Sequence, residues 1–494
     1  MCPALVEGLS PHMCPEPVEG HAMTSGWVAA VDLGATSGRV MLGHLGPDEL
    51  SVEEVNRFPN DPVLITDGLH WSILELYRNV LVGLREAIRA QPDLAGIGID
   101  SWAVDYGLLS DDHLINNPFH YRDERTAGGV ALVHKIADHA TLYASNGLQF
   151  LPFNSIYQLA VDHEAGVIDD TTRMLMIPDL LGFWLTGEQV VERTNASTTG
   201  LLDITTGTWN TTLIDKLSLP RSLFPPLVDP GSRIGTLRDE VAAEIGAPTT
   251  LGVIAVGSHD TASAVVGVPM TEAGAAYISS GTWSLVGVEL DRPVLTEDSR
   301  EANFTNEGGV DGKIRYLRNV MGMWLLSESM RVWQREGQSV ELTSLLDQAA
   351  AISTPVPIFD ANHPSLLPPG DMPTRIAALC AEAGATAPDS PAGFARSILE
   401  SLAEAYTTAI SDAERLSGQK INTVHIVGGG SQNALLCQLT ANRTGRRVLA
   451  GPIEATAVGN VLIQGRAVGL VQGDLAELRA LVAKTFPPAE YQPH

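Results

Sequence analysis

The sequence predicts an α/β protein of two domains facing a shared cleft. Three observations carry that expectation. Apolar runs of strand length alternate with stretches of helical periodicity. One strand–turn–strand plan occurs twice, at 29–45 and at 275–290. A chain of 494 residues, 44% of them hydrophobic, is longer than one core normally organises.

The elements follow in order. "AAVDLGATSGRVMLGHL" (29–45) reads as a strand, a small polar turn and a second strand, and a third extended piece ends at "RFPN" (57–60). "SILELYRNVLVGLREAIRA" (72–90) places apolar residues at helical spacing, and "LAGIGID" (94–100) is a buried strand ending in Asp100. "VIAVGSHDTASAVVG" (253–267) is an apolar strand that runs into a helix of small residues. Gly and Pro interrupt the pattern at 265–274, which sets the expected domains at 23–268 and 269–494. The second hairpin, "AAYISSGTWSLVGVEL", opens the second half, and the Pro-rich segment 353–375 reads as an ordered excursion over that domain. "SPAGFARSILESLAEAYTTAISDAERLSG" (390–418) begins with a capping serine and stops at a glycine. "INTVHIVGGGSQNALLCQLTANRTG" (421–445) gives strand, glycine turn and helix.

Composition limits the partners. The formal charge of −27 repels both a phosphate backbone and an anionic bilayer, and no basic run offsets it, so neither nucleic acid nor a membrane is expected. No apolar run reaches the roughly 20 residues of a membrane span. The four cysteines (Cys2, Cys14, Cys380, Cys437) are scattered, without metal-ligand spacing, as in a reduced cytoplasmic protein. "MCPALVEG" at 1–8 returns as "MCPEPVEG" at 13–20 without the pattern of a signal peptide. The expectation is a start at Met23, with 1–22 a non-native or disordered extension.

Four places carry chemistry. Backbone N–H groups of the turn after Asp32 can converge on phosphate oxygens, with Thr36, Ser37 and Arg39 as further donors. Asp32 at the strand end suits Mg2+, directly or through water. The glycines of "VGGG" (427–430) permit close approach of a flat or phosphorylated ligand. Asp260 stands at a strand end, where a general base for phosphoryl transfer to an alcohol would be placed, with His259 and Thr261 beside it. Trp102 in "GIDSWAVDYGLL" (98–109) offers an apolar face to a sugar ring. Structural alternatives stand beside each: turn cap for Asp32, strand-to-helix turn for the glycines, helix cap for Asp260, core packing for Trp102 and His259. No G-x-x-x-x-G-K-[ST], H-E-x-x-H or G-x-S-x-G occurs.

Ten ordered stretches together resemble the FGGY carbohydrate kinases: "AAVDLGATSGRVML", "GIGIDSWAVDYGLL", "HYRDERT", "FNSIYQL", "ERTNASTTGLLD", "GSHDTASAV", "YISSGTWSL", "NFTNEGG", "RNVMGMWLL" and "HIVGGGSQN". The likeness runs from about Val28 to about Gly469 and is strongest to members that phosphorylate L-rhamnulose. It implies two actin-like, RNase H-like ATPase domains flanking a cleft, with transfer of the γ-phosphate of ATP to the 1-hydroxyl of that ketose. By position it implies that Ala35, Thr36, Ser37, Gly38, Arg39, Thr282, Ser327 and Gly429 bind ATP and that Asp32 is the Mg2+-associated aspartate. Ala103, His259, Asp260, Thr261 and Asn319 would contact the sugar, with Asp260 as proton acceptor. Two positions depart from the pattern: Ala103 stands where a glycine is expected, and Ser327 where a glutamine is expected. Another ketose or polyol, such as L-fuculose or D-xylulose, is the alternative substrate, and a catalytically silent nucleotide-dependent binding protein is the alternative class.

Overall fold

The computed structural model describes residues 25–494, so the expectation for 1–22 lies outside the described residues. Two sheets organise the chain. The first is built from β1 (Gly26–Leu33), β2 (Ser37–Gly46), β3 (Glu49–Pro59), β4 (Leu94–Ser101), β5 (Arg233–Thr236) and β6 (Gly252–Ile254) in the order β5-β6-β4-β1-β2-β3. The second is built from β7 (Ala275–Ser280), β8 (Trp283–Leu290), β9 (Thr305–Gly308), β10 (Ile314–Met321), β11 (Thr423–Val427), β12 (Arg447–Ala450) and β13 (Ala489–Tyr491) in the order β9-β10-β8-β7-β11-β12-β13.

One five-strand plan underlies both. In the first sheet β3-β2-β1 are antiparallel, and β4 and β6 then add in parallel. In the second, β10-β8-β7 are antiparallel, and β11 and β12 add in parallel. The repeated hairpin of the sequence is therefore the centre of a repeated sheet, and both hairpin turns open toward one cleft.

Period-2 alternation in β1 sends its residues to two cores. Ala29, Val31 and Leu33 join a core with Trp71, Leu76, Val80 and Leu84, the last three on α1 (Ile73–Ala90). Val28 and Ala30 face the other way. The helices that cover this other face come from the far end of the chain.

In chain order the helices bearing on the site are α2 (Ser155–Glu164), α3 (Asp260–Val266), α4 (Trp324–Arg335), α5 (Pro391–Ser417), α6 (Ala434–Thr444), α7 (Ala455–Ala467) and α8 (Leu475–Thr485). Val458, Val461 and Leu462 of α7 and Leu475, Leu478 and Val482 of α8 pack with Val28, Ala30, Met41 and Leu45 of the first sheet. α3 and α7 approach at backbone distance: a Cβ on Gly459 would strike the carbonyl of Ser263, and one on Gly267 the carbonyl of Ala455. α5 starts at the Ser390 cap, whose side chain accepts from the N–H of Gly393, and ends at Gly418 in the left-handed conformation. Among the described residues no helix is long and apolar enough to cross a membrane.

Candidate active site

The turn between β1 and β2 is fixed by its own backbone and by one asparagine. The N–H of Gly34 donates to the carbonyl of Ser37 (2.9 Å), and that of Asn60 to the carbonyl of Thr36 (3.1 Å). Asn60 Nδ2 donates to the carbonyl of Gly34 (2.8 Å). The opposite hairpin turn is held in the same way: the N–H of Gly281 donates to the carbonyl of Trp283 (2.8 Å), and that of Met323 to the carbonyl of Gly281 (3.0 Å). Both turns open on one cavity of about 570 Å3.

Asp32, Ala35, Thr36, Ser37, Arg39, Ala103, His259, Asp260, Thr261, Thr282, Asn319 and Gly429 all line this cavity. Two expected residues do not. Gly38 lies behind the turn in β2, where a Cβ would strike the Phe58 ring, so its lack of a side chain serves strand packing. Ser327 is exposed on α4, and its short side chain stays outside the cavity wall. Gly428 and Gly429 differ in kind. Gly428 has φ +80° and lies against the carbonyl of Ser280, whereas no protein atom lies within 4 Å of a Cβ on Gly429, so the space beside it is open to a ligand.

Carboxylates converge at the cavity floor. Asp32 is paired in register with Arg39 on β2 and with Asp100 on β4. Burial, with Asp260 and Glu454 nearby, pushes the Asp32 carboxyl up to about 6 against the opposing pull of Arg39. Asp100 is raised well above the ordinary carboxylate range by burial and by Asp32. Arg39 Nη2 stands 3.0 Å from Asp32 Oδ2, and Nη1 bonds Glu454. Asp32 Oδ2 itself has no aligned hydrogen-bond donor. Asp260 opens into the cavity, its side chain 29% exposed, and its pKa is raised by the surrounding protein against the lowering effect of His259, Thr261 and Arg315. Thr261 Oγ1 donates to Asp260 Oδ1 (3.1 Å).

The turn bearing Asp260 is held from below. Glu192 Oε2 accepts from the N–H of Ser258 (2.9 Å), the Ser258 hydroxyl (2.8 Å) and the Thr194 hydroxyl (2.5 Å). Opposite this turn lies an aromatic wall. Asp105 Oδ2 accepts from Trp71 Nε1 (2.6 Å), Trp102 Nε1 (3.0 Å) and the N–H of Tyr121 (3.1 Å), while Oδ1 accepts from Gln158 Nε2 (2.9 Å) on α2. Burial still lifts Asp105 to about 6 against these donors. Val104, a β-branched residue at φ +67°, is held in that conformation by Ser155 Oγ, which donates to its carbonyl (2.6 Å). Asn319 is fixed across the cleft: its N–H (2.8 Å) and Nδ2 (3.0 Å) both donate to Gln149 Oε1.

Several residues of the wall have no local sequence signature. Glu454, Gln149 and Arg57 line the cavity from three distant segments, and Glu307 joins them from the "NFTNEGG" stretch. Arg39 and Arg57 are, among the described residues, the lysine and arginine side chains that line it, against the carboxylates of Asp32, Asp260, Glu307 and Glu454.

Comparison with known proteins agrees with this geometry. The FGGY family of carbohydrate kinases matches in two parts, its N-terminal domain over residues 27–267 and its C-terminal domain over 276–468. A rhamnulokinase of Pectobacterium carotovorum is 42% identical, covering 94% of this chain and 93% of its own length. Those of Bacteroides thetaiotaomicron (39%) and Bacillus subtilis (38%) each cover 94% of this chain and 95% of their own. Among solved structures, a gluconate kinase from Lactobacillus acidophilus (TM-score 0.76, 17% identity) covers 95% of this chain and 94% of its own, as does a Plasmodium falciparum glycerol kinase with ADP (TM-score 0.76, 16% identity). The two-domain, actin-like architecture is thus the fold of sugar kinases, and the kinase family implies ATP as phosphoryl donor. With both family domains matched in order and relatives aligned along nearly the whole length, the chain belongs to the FGGY family of carbohydrate kinases.

Proposed function

We propose that this kinase transfers the γ-phosphate of ATP to the 1-hydroxyl of L-rhamnulose, giving L-rhamnulose 1-phosphate and ADP in the breakdown of L-rhamnose in the cytoplasm. The observation that carries the reading is one cavity holding two backbone-rich turns, Asp260 and an aromatic wall. Near-full-length identity of 38–42% to relatives named rhamnulokinase supports the choice of sugar. Residues 23–268 and 269–494 act as the two domains, with the C-terminal helices returning to the first.

Asp260 accepts the hydroxyl proton as the sugar oxygen approaches the γ-phosphorus in line with the leaving oxygen of ADP. Thr261 occupies Oδ1 of that carboxylate, which leaves Oδ2 to take the proton. Thr36, Ser37, Thr282, Arg39 and the backbone of both turns hold the phosphates, and Gly429 gives the nucleotide room. Ala103, His259, Thr261 and Asn319 orient the sugar. The donor set at Asp32, a buried carboxylate with an oxygen lacking an aligned partner, fits Mg2+, which binds through one or two carboxylates plus phosphate and water. Bound there, Mg2+ would neutralise charge on the transferring phosphate.

The methyl group of Ala103 on the cavity wall favours a second reading, a shifted preference toward another ketose. One assay separates the two. ADP release with Mg2+-ATP is measured for L-rhamnulose, L-fuculose, D-xylulose, L-ribulose and glycerol side by side. A strong preference for L-rhamnulose is expected. Preference for another sugar overturns the substrate, and no sugar-dependent ADP release overturns the kinase reading.

A further inference from the structure

A fully buried arginine of the second sheet touches the catalytic turn of the first. Arg315 on β10 has no solvent exposure and stands in register opposite Glu307 on β9. Its Nε donates to the carbonyl of Gly308 (2.9 Å), and Nη2 lies 3.1 Å from Glu307 Oε2. The same Nη2 lies 2.9 Å from Nδ1 of His259, the residue before Asp260.

A guanidinium carries donors only, so Nδ1 of His259 must be the acceptor in this contact. The imidazole proton is therefore on Nε2, which faces Asp260 Oδ1 at 3.4 Å. Thr261 Oγ1 also donates to Oδ1 (3.1 Å). Removing Arg315 would free His259 to move its proton to Nδ1 and donate to Glu307 Oε2, 3.3 Å away. Nε2 would then present a lone pair to the Asp260 carboxylate, a repulsive contact that turns the base.

We propose that Arg315 is a positioning residue: by donating to His259 Nδ1 it fixes the tautomer that orients Asp260, so the second domain completes the catalytic group of the first. Buried ion pairs are weak evidence of a stabilising role, because well-packed apolar residues often replace them without loss. The Arg315–Glu307 pair thus sets geometry across the cleft. The proposal rests on Asp260 being the base, but its structural half does not depend on which sugar is phosphorylated.

The test has two readouts. In the full-length enzyme labelled with 15N-histidine, with His259 assigned by loss of its signal in His259→Asn, Nε2 should carry the proton and Nδ1 should not. A proton on Nδ1 overturns the proposal whatever the substrate. In the paired variant Arg315→Met/Glu307→Leu, which leaves neither an uncompensated charge nor a donor to Nδ1, kcat should fall about 100-fold from misplacement of the base. KM for ATP should stay within about twofold, since ATP binding does not use this contact. Should that pair not fold, Arg315→Met alone, which removes the donor to His259 Nδ1, is read in the same way. Unchanged kcat in a folded variant overturns the proposal. Failure of L-rhamnulose as substrate, with turnover of another sugar that still depends on Arg315, overturns only the choice of sugar.

Discussion

Asn460 Nδ2 donates to Asp100 Oδ2 over 2.6 Å, although the two residues are 360 positions apart. Asn460 is itself held by Gln464, whose Nε2 donates to Asn460 Oδ1 (2.6 Å) and to the carbonyl of Ala29 (3.0 Å). This chain of amides fastens α7 beneath the strands that carry Asp32 and Asp100. Asn460→Leu should lower the free energy of unfolding by about 1–3 kcal/mol, because it strips a donor from a buried carboxyl. Denaturant titration measures it, and an unchanged midpoint would show that the contact is dispensable.

Asp260→Asn should keep the fold and ATP binding while kcat drops by about 10² to 10⁴, the usual range for a lost general base. Because surrounding protein raises the pKa of Asp260, the acid limb of the wild-type kcat/KM profile should lie above the ordinary aspartate value of 3.8. Activity is lost as pH falls through that limb, since only the ionised carboxylate accepts a proton. Near-normal turnover of the asparagine variant would assign the base elsewhere.

Asp32 should weaken the free enzyme at neutral pH. Its carboxyl moves from 3.8 to about 6 on folding, a shift worth on the order of 3 kcal/mol. Between those values the native state holds a proton that the unfolded chain does not, so this contribution to stability rises as pH falls. In buffer free of divalent cations, Asp32→Asn should melt higher than wild type at pH 8. The gap should narrow below about pH 6 and close near 3.8. Equal melting temperatures at pH 8 would contradict the buried charge.

Asp105→Asn should raise KM for the sugar more than KM for ATP. All four groups around this carboxylate donate to it, and an amide would set its own N–H2 against some of them. A buried mismatch of this kind costs about 1–3 kcal/mol and loosens Trp102 and Tyr121 on the cavity wall. Equal changes in the two KM values would place Asp105 outside sugar recognition.

Local chemistry made the hairpin turns and the Asp260 strand end readable: a polar residue ending an apolar run, followed by small residues, looks the same in sequence and in space. Arg39 was readable as a donor to phosphate, but its partner Glu454 lies 415 residues away and has no signature of its own. Gln149, which fixes Asn319, and Arg315, which reaches His259, are single polar residues beside apolar ones, and only tertiary packing places Gln149 and sheet register Arg315. Ser327 lies outside the cavity lining for a related reason. Its position follows a motif, but the motif does not say which side of α4 faces the cavity. The Pro-rich segment 353–375 likewise reads as an excursion without assigned elements, although the helix Met372–Glu382 begins inside it.

The return of α7 and α8 to the first sheet has a consequence for synthesis. A ribosome completes all six strands of that sheet by residue 254, yet most of the residues that pack with Val28, Ala30, Met41 and Leu45 emerge only after 455. For some 200 residues of elongation, at roughly 5–20 residues per second, one face of the nascent sheet stays without most of its cover. A chain cut before Ala455 would keep that face without most of its cover, so the last tenth of the polypeptide decides whether the first half becomes a finished domain.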